Sequence, residues 1–106
     1  MTEAEFMQQI IDLAHLYSWH VAHFRPAWSK DGKRCMTAVA ADGAGFPDLC
    51  MVKRCRLIFA ELKADKGRLS PEQQGWIDNL TNSMRCEVYI WKPENFEEIV
   101  EVLTRE

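Results

Sequence analysis

The chain has 106 residues, of which 47% are hydrophobic, and a formal net charge of −3 at pH 7. This size predicts one domain, 1–106, with a core of its own. No apolar run approaches the roughly 18 residues of a membrane-spanning helix, and the acidic start, Met-Thr-Glu-Ala-Glu, does not resemble a signal peptide. We therefore expect a cytoplasmic protein with no membrane partner.

The first half of the sequence predicts a helix, a strand and a long loop. Residues 2–17 form the helix, with Thr2 as N-cap and acids in the first turn. Its apolar stripe repeats at helical spacing: Phe6, Ile10, Leu13 and Tyr17, widened by Ile11, Ala14 and Leu16. Residues 19–24 predict a strand. Residues 26–47 contain two prolines and three glycines and predict a loop with one short strand at 36–41.

The second half predicts two strands, a helix, a strand and a helix. Residues 48–52 and 56–63 are strands joined by a turn at 53–55, and the apolar second strand is expected to be buried on both faces. Ser70, Pro71 and Gln73 begin a helix with a capping box. Its expected buried stripe is Trp76, Ile77, Leu80 and Met84, while Trp19 and Trp91 are expected in the core.

The chain closes with a strand at 86–91 and a helix at 93–104. The apolar residues of this helix are Phe96, Ile99, Val100 and Leu103, and its glutamates are expected outside. The order α-β-β-β-α-β-α predicts an α/β fold, a mixed central sheet flanked by helices.

The four cysteines, Cys35, Cys50, Cys55 and Cys86, include no C-x-x-C pair. Reduced, packed thiols are the favoured interpretation, and zinc ligation is the less favoured one.

The basic charge is concentrated in the middle of the chain. Residues 20–70 contain ten Lys or Arg and five acids, a balance of +5, whereas the remainder carries −8. A local basic surface of this kind is what phosphate binding needs, although an ordinary solvated charge pattern has the same appearance.

Three charged residues converge if the two middle strands form a hairpin. Asp48 begins the first strand, and Glu61 and Lys63 share one face at the end of the second. Asp48, Glu61 and the Leu62 carbonyl can supply oxygen ligands to Mg²⁺, and Lys63 can orient a water or neutralise charge on a phosphate. The alternative is a Glu-Lys surface pair at a strand end.

Five sequence blocks around these residues, in this order, resemble the VRR-NUC nucleases of the PD-(D/E)xK superfamily: 45–49, 59–63, 67–73, Trp76 and 88–93. The chain is similar to the small stand-alone members found in phages and prophages. The resemblance implies a restriction-endonuclease-like fold and a DNA endonuclease that depends on Mg²⁺ or Mn²⁺.

The resemblance also implies roles for individual residues. Asp48 and Glu61 would bind the metal, Lys63 would be the catalytic lysine, and Gln73 would be a glutamine near the active site, although a capping box alone explains it. An acid of the first helix would join the metal site. Glu3, on the stripe of Phe6, is preferred over Glu5.

The residues flanking the motif are candidates for holding DNA. Arg25, Lys66 and Arg68 are assigned to the DNA backbone, His20 and His23 flank the site, and His23 is a candidate for phosphate contact or packing. Trp28, in the long loop, is a candidate for stacking on an unpaired base or on a partner subunit.

Stand-alone members of the family are associated with cleavage of Holliday junctions or other DNA structures. A two-fold symmetric junction needs two sites, which a C2 homodimer provides most simply. The alternatives are a nuclease acting on flaps, nicked or general DNA, and a non-catalytic DNA-binding or dimerisation module.

Overall fold

The computed structural model describes residues 1–24, 40–83 and 85–106 in full, and residues 27–28 and 35–36 as backbone. Its helices are α1 (Glu3–Leu16), α2 (Pro71–Thr81) and α3 (Phe96–Thr104), the last preceded by a 3-10 turn at Pro93–Asn95. Its strands are β1 (His20–His23), β2 (Ala27–Trp28), β3 (Cys35–Met36), β4 (Leu49–Lys53), β5 (Arg56–Leu62) and β6 (Glu87–Trp91). No described helix has the length and apolarity needed to cross a membrane.

The main sheet has four strands in the order β1-β4-β5-β6. β1 pairs antiparallel with β4, β4 antiparallel with β5, and β5 parallel with β6. This confirms the predicted mixed sheet, the element order and the hairpin formed by β4 and β5. The two-residue strands β2 and β3 form a separate pair. Of the strand expected at 36–41, Met36 belongs to β3, residues 37–39 lie outside the described residues, and residues 40–41 are not in a strand.

The N-termini of all three helices lie at one edge of the sheet, here called the carboxyl edge because β1, β5 and β6 end there at His23, Leu62 and Trp91. α1 is followed within four residues by the start of β1, so its first turn lies at the carboxyl edge. α2 follows the end of β5 and precedes the start of β6. α3 begins just after β6 ends. Helix N-termini carry partial positive charge, so this edge favours anions.

The core lies between the sheet and the α1/α3 layer. Alternate strand residues point into it and are fully buried, as the pleat requires: Leu49, Met51, Ile58, Ala60 and Leu62. They pack with Phe6, Ile10 and Ala14 of α1 and with Ile99 and Leu103 of α3. Trp19 and Trp91 are also buried, as predicted.

The opposite face of the sheet is only partly covered, by α2 and an aromatic cluster. Phe46 packs edge-to-face on Phe24, Phe59 and Trp76, with ring centroids 5.5, 5.8 and 4.9 Å away. Trp76 is half-buried rather than core, because its Nε1 donates to the Asp42 carbonyl oxygen at 3.0 Å at the surface. The expectation that β5 is buried on both faces holds for the α2-facing Glu61 but is wrong for Leu57 and Phe59, which are half-buried. Ile77 is the buried residue of α2.

The predicted burial of two helices needs correction. In α3 the buried residues are Ile99, Val102 and Leu103, whereas Phe96 is 39% exposed and Val100 is half-buried. Phe96 begins α3 at the end of the sheet, and the packing of the helix on the core turns Val102 inward rather than Val100. In α1, Leu16 is 73% exposed because it lies in the last turn, beyond the sheet.

Candidate active site

The loop before β4 is fixed against the first turn of α2. Gly45 adopts φ +83°, and a Cβ there would lie 2.6 Å from the Glu72 carbonyl carbon and 2.7 Å from the Gln73 nitrogen. Only glycine fits this conformation and this close approach. The next two residues, Phe46 in the aromatic cluster and the fully buried Pro47, continue the anchorage. Asp48 is therefore held in a defined position at the carboxyl edge.

Asp48 bonds to the end of the neighbouring strand. It directly precedes β4, and the Leu49–Ala60 pairing puts it opposite Glu61. Its Oδ2 accepts the Leu62 N–H at 2.9 Å. The hairpin register expected from the sequence is confirmed, although the strand begins one residue later than predicted.

Continuing the same register places Pro47 opposite Leu62. Proline has no N–H, so it cannot donate the ladder hydrogen bond that the Leu62 carbonyl would otherwise accept. The ladder thus ends here with a backbone oxygen free beside two carboxylates, in agreement with the predicted use of this carbonyl as a ligand.

Glu61 is a buried carboxyl group with an incomplete set of partners. It is 1% exposed, its Oε1 lies 3.4 Å from Gln73 Nε2, and its Oε2 has no hydrogen-bond partner. Burial, followed by the adjacent Asp48 carboxyl, raises the pKa of Glu61 from 4.5 to about 9. A cation beside Asp48 and Glu61 would reverse both causes.

Lys63 completes the group on the same face as Glu61. Its backbone N–H donates to the Trp91 carbonyl oxygen at 3.0 Å, and its charge opposes the rise in the Glu61 pKa. A Cβ on Gly67 would lie 3.2 Å from Lys63 Cδ, so the lysine stem lies against the loop that follows. The sequence interpretation did not give Gly45 and Gly67 these packing roles, and their only signal was that they are glycines.

Gln73 has both of the roles considered for it. Its side-chain oxygen accepts the Ser70 N–H at 2.8 Å, while its backbone N–H donates to Ser70 Oγ at 3.2 Å, which completes the capping box. The amide nitrogen then faces Glu61. The cap of α2 and the contact with the acid are made by one side chain.

The sequence was compared with models of known protein families. Residues 8–93 match the VRR-NUC domain. The chain belongs to the VRR-NUC family. A VRR-NUC domain is a nuclease-type domain, which implies DNA as its substrate. Searches of the curated proteins and of the solved structures found no match.

The first helix of this VRR-NUC domain offers two acids with different surroundings. Glu5 forms a capping box with Thr2, whose hydrogen bonds lower the pKa of Glu5. Glu3 is exposed rather than directed into the core, and its charge contributes to the raised pKa of Glu61. The charge of Glu3 therefore acts on Glu61.

A metal ion at this VRR-NUC site would be coordinated by few side chains. Within the described ranges, no three His, Cys, Asp or Glu side chains are grouped closely enough to hold a metal ion. Asp48 and Glu61 are a pair, and the hard oxygen donors Asp48, Glu61 and the Leu62 carbonyl suit Mg²⁺, which retains several waters.

The residues predicted to hold DNA or to flank the site of this VRR-NUC domain are not grouped at one place. Lys66 and Arg68 are exposed on the loop after β5, while Arg25 and the Trp28 side chain lie outside the described residues. His20 does not flank the site: it pairs with Val52, at the other edge of the sheet. His23 lies at the carboxyl edge on the core-facing side, away from Glu61, and its buried Nδ1 has no partner.

The cysteines of the described segments form no zinc site. Cys50, Cys55 and Cys86 are free, and burial raises the pKa of the Cys50 thiol. The favoured prediction of packed thiols agrees with the half-buried Cys50 and Cys86 but is wrong for Cys55, which is exposed. The Cys35 side chain lies outside the described residues.

Proposed function

We propose that this VRR-NUC domain is a metal-dependent endonuclease that hydrolyses phosphodiester bonds in branched DNA, with the Holliday junction as its substrate. The observation that carries the proposal is the buried Glu61 beside Asp48, with a raised pKa and a carboxylate oxygen that lacks a partner. Burying an acid in this way is costly unless a cation compensates it. A site built only for stability would have no reason to retain it.

Mg²⁺ or Mn²⁺ would be held by Asp48, Glu61 and the Leu62 carbonyl, and the charge of Glu3 in α1 would act on the ion from outside this ligand set. When bound, the metal supplies a lowered pKa for a coordinated water and positive charge beside the phosphate. Gln73 orients Glu61 through its amide, and the capping bond to Ser70 keeps that amide in place. This outer support is typical of metal sites.

Lys63 acts on the substrate from the other side of Glu61. Its ammonium group orients the attacking water or neutralises charge that develops on the phosphate oxygens. The stem is confined by Gly67, so less side-chain freedom is lost when the phosphate binds. Arg25, Lys66 and Arg68 contact backbone phosphates nearby, in keeping with the basic balance of residues 20–70.

The choice of a junction rests on symmetry. Each chain carries one such site and cuts one strand, so two related strands of a junction require two chains about a two-fold axis. We propose a C2 homodimer for this reason. The sequence contains no recognisable base-reading motif, which fits recognition of DNA shape.

The deciding experiment compares Lys63→Ala with Lys53→Ala, a lysine at the opposite edge of the sheet. With Mg²⁺, Lys63→Ala should lose cleavage by at least about 100-fold while DNA binding changes little, and Lys53→Ala should cut like the wild type. Undiminished cutting by Lys63→Ala would refute the catalytic assignment.

Substrate and assembly are tested separately. Four-way junction, flap, nicked and linear duplex DNA are cut in parallel, and equal rates would favour a general nuclease over a resolving enzyme. DNA binding without any cutting would favour a non-catalytic module. Light scattering should give twice the 12.3 kDa chain mass, and a monomer at high concentration would contradict the dimer.

Metal dependence has a readout that does not require activity. A ligand that binds only the folded state at 100 times its Kd stabilises it by about 2.7 kcal/mol. Mn²⁺ should therefore raise the melting temperature of the wild type but not of Asp48→Asn. Equal shifts in both proteins would exclude Asp48 as a ligand.

A further inference from the structure

A second lysine stands beside Lys63 at the carboxyl edge. β5 and β6 are parallel, with Glu61 paired to Ile90 and Leu62 to Trp91. The ladder continues one step further, because the Lys63 N–H donates to the Trp91 carbonyl oxygen at 3.0 Å, the bond that pairs Lys63 with Lys92. Paired residues of parallel strands share a face, so Lys92 projects on the face of Glu61 and Lys63, one strand away, about 4.8 Å in backbone spacing.

The backbone of Lys92 is fixed independently of its side chain. Its N–H donates to Asn95 Oδ1 at 2.9 Å, and Pro93 then opens the 3-10 turn that leads into α3. The residue is half-buried, in contrast to the exposed Lys66 and Arg68. The ammonium group therefore projects from a rigid position, and the side chain can be shortened without removing the bond that shapes the turn.

Two ammonium groups side by side repel each other unless an anion lies between them. Neither Lys63 nor Lys92 belongs to the ion pairs formed among the described residues, which involve Arg54 and Arg56. Lys92 therefore has no acidic partner among these ion pairs, and its charge is available to a ligand.

The carboxyl edge is consequently divided by charge. Asp48, just before β4, lies opposite Glu61 of β5, and two residues further along β5 Lys63 lies opposite Lys92, which directly precedes the 3-10 turn. We propose that Lys92 binds the backbone phosphate next to the scissile one on the strand that is cut, and so sets the register of that strand over the site. This inference rests on the proposed nuclease function and adds a substrate-positioning residue to it.

A positioning role predicts a specific kinetic pattern. Lys92→Gln should raise KM for cleavage roughly tenfold while kcat stays within about threefold, because a contact equal in ground and transition states affects binding alone. Lys92→Arg, which keeps the charge, should restore KM. Lys53→Gln, the matched change at the other edge, should leave both constants unchanged, and thermal melts confirm that each variant is folded.

Salt dependence provides a readout independent of cleavage. With EDTA present, the affinity for a fluorescein-labelled four-way junction is measured against salt concentration by anisotropy. Loss of one phosphate contact should reduce the slope of log K against log salt by about 0.9 in Lys92→Gln and by nothing in Lys53→Gln.

The outcomes separate the two proposals. A wild-type slope and KM in Lys92→Gln, or a fall in kcat with KM unchanged, would overturn the role of Lys92 while the nuclease proposal stands. A reduced slope in Lys92→Gln with a wild type that never cuts DNA would support the phosphate contact and refute the nuclease. A wild type that neither binds nor cuts DNA would refute both.

Discussion

Gln73 Nε2 lies 3.4 Å from Glu61 Oε1, while the oxygen of the same amide accepts the Ser70 N–H at 2.8 Å. An amide has one acceptor end and one donor end in a fixed plane. The capping bond therefore determines which end faces Glu61. The beginning of α2 and the buried acid of β5 are coupled through one side chain.

This coupling predicts that Gln73→Ala and Ser70→Ala differ in activity but not much in stability. Each change removes half of the capping box, which should cost about 1 kcal/mol of unfolding free energy. Only Gln73→Ala removes the contact with Glu61, and losing such an outer partner should reduce cleavage by roughly 10- to 100-fold. Urea unfolding and single-turnover cleavage measure the two effects. Equal loss of activity in both variants would mean that Gln73 acts only through the cap.

The sequence was sufficient for these elements because their signals are local. Ser70, Pro71 and Gln73 specify a helix start within four residues. Successive side chains of a strand point to opposite faces, and this specifies which side chains of β4 and β5 share a face. The short turn at 54–55 forces a hairpin, and the hairpin register brings Asp48 to Glu61. The central part of the candidate site followed from these steps alone.

What the sequence could not provide depends on contacts between distant segments. The contact of Gly45 with α2 exists only after the loop has docked. The stripe of α3 was misassigned because packing on the core decides how the helix is turned about its axis, and Trp76 was placed in the core because its bond to Asp42 is not encoded locally. The alignment of Lys92 with Lys63 needs the β5–β6 register, which joins residues 29 positions apart.

The docking of Gly45 predicts opposite effects of two glycine-to-alanine changes. Gly45→Ala should destabilise the fold by at least about 1–3 kcal/mol, since φ +83° is strained for alanine and the new Cβ meets the backbone of α2 at 2.6–2.7 Å. Gly75 lies in α2 itself, and a Cβ there would have nothing within 4 Å. Gly75→Ala should therefore stabilise the fold by about 0.5–1 kcal/mol.

Activity extends this comparison. Gly45→Ala molecules that remain folded should also cut DNA more slowly, because Asp48 lies three residues further along the displaced loop. Gly75→Ala should cut like the wild type. Denaturation midpoints and rates per folded molecule check both points, and a Gly45→Ala protein as stable as the wild type would contradict the packing described.

The raised pKa of Glu61 predicts how the metal-free protein responds to pH. The folded state keeps this proton up to about pH 9, whereas the unfolded chain releases it near 4.5. Unfolding free energy contributed by Glu61 is therefore fully present below pH 4.5 and declines as pH rises toward 9. The decline has a limit of about 1.4 kcal/mol per pH unit for one proton.

Glu61→Gln removes this titration with little change in the size of the side chain. In EDTA, the variant should gain stability relative to the wild type as pH is raised from 5 to 8, and it should lose any stabilisation by Mn²⁺. Chemical denaturation across that range is the measurement. Parallel pH profiles for the two proteins would show that Glu61 is already ionised in the folded state.

Arg56 predicts a separate effect on stability at the edge opposite the site. Its guanidinium binds both Glu87 oxygens at 2.7 and 2.8 Å, donates to the Val102 and Arg105 carbonyls, and lies 5.0 Å from the Trp19 ring. The bond from Arg56 lowers the pKa of Glu87. Arg56 thereby joins β5, β6 and the end of α3.

Arg56→Ala should cost about 2–3 kcal/mol, because it leaves the half-buried Glu87 with the Tyr89 hydroxyl alone and removes the donor to two carbonyls at the end of α3. Arg54→Ala is the matched control: its ion pair with Glu106 is 3.7 Å long with both side chains more than 70% exposed, and its loss should change stability little. Neither residue lies at the carboxyl edge, so stabilisation by Mn²⁺ should persist in both variants. Loss of the Mn²⁺ effect in Arg56→Ala, with the protein still folded, would show that the two edges of the sheet are coupled.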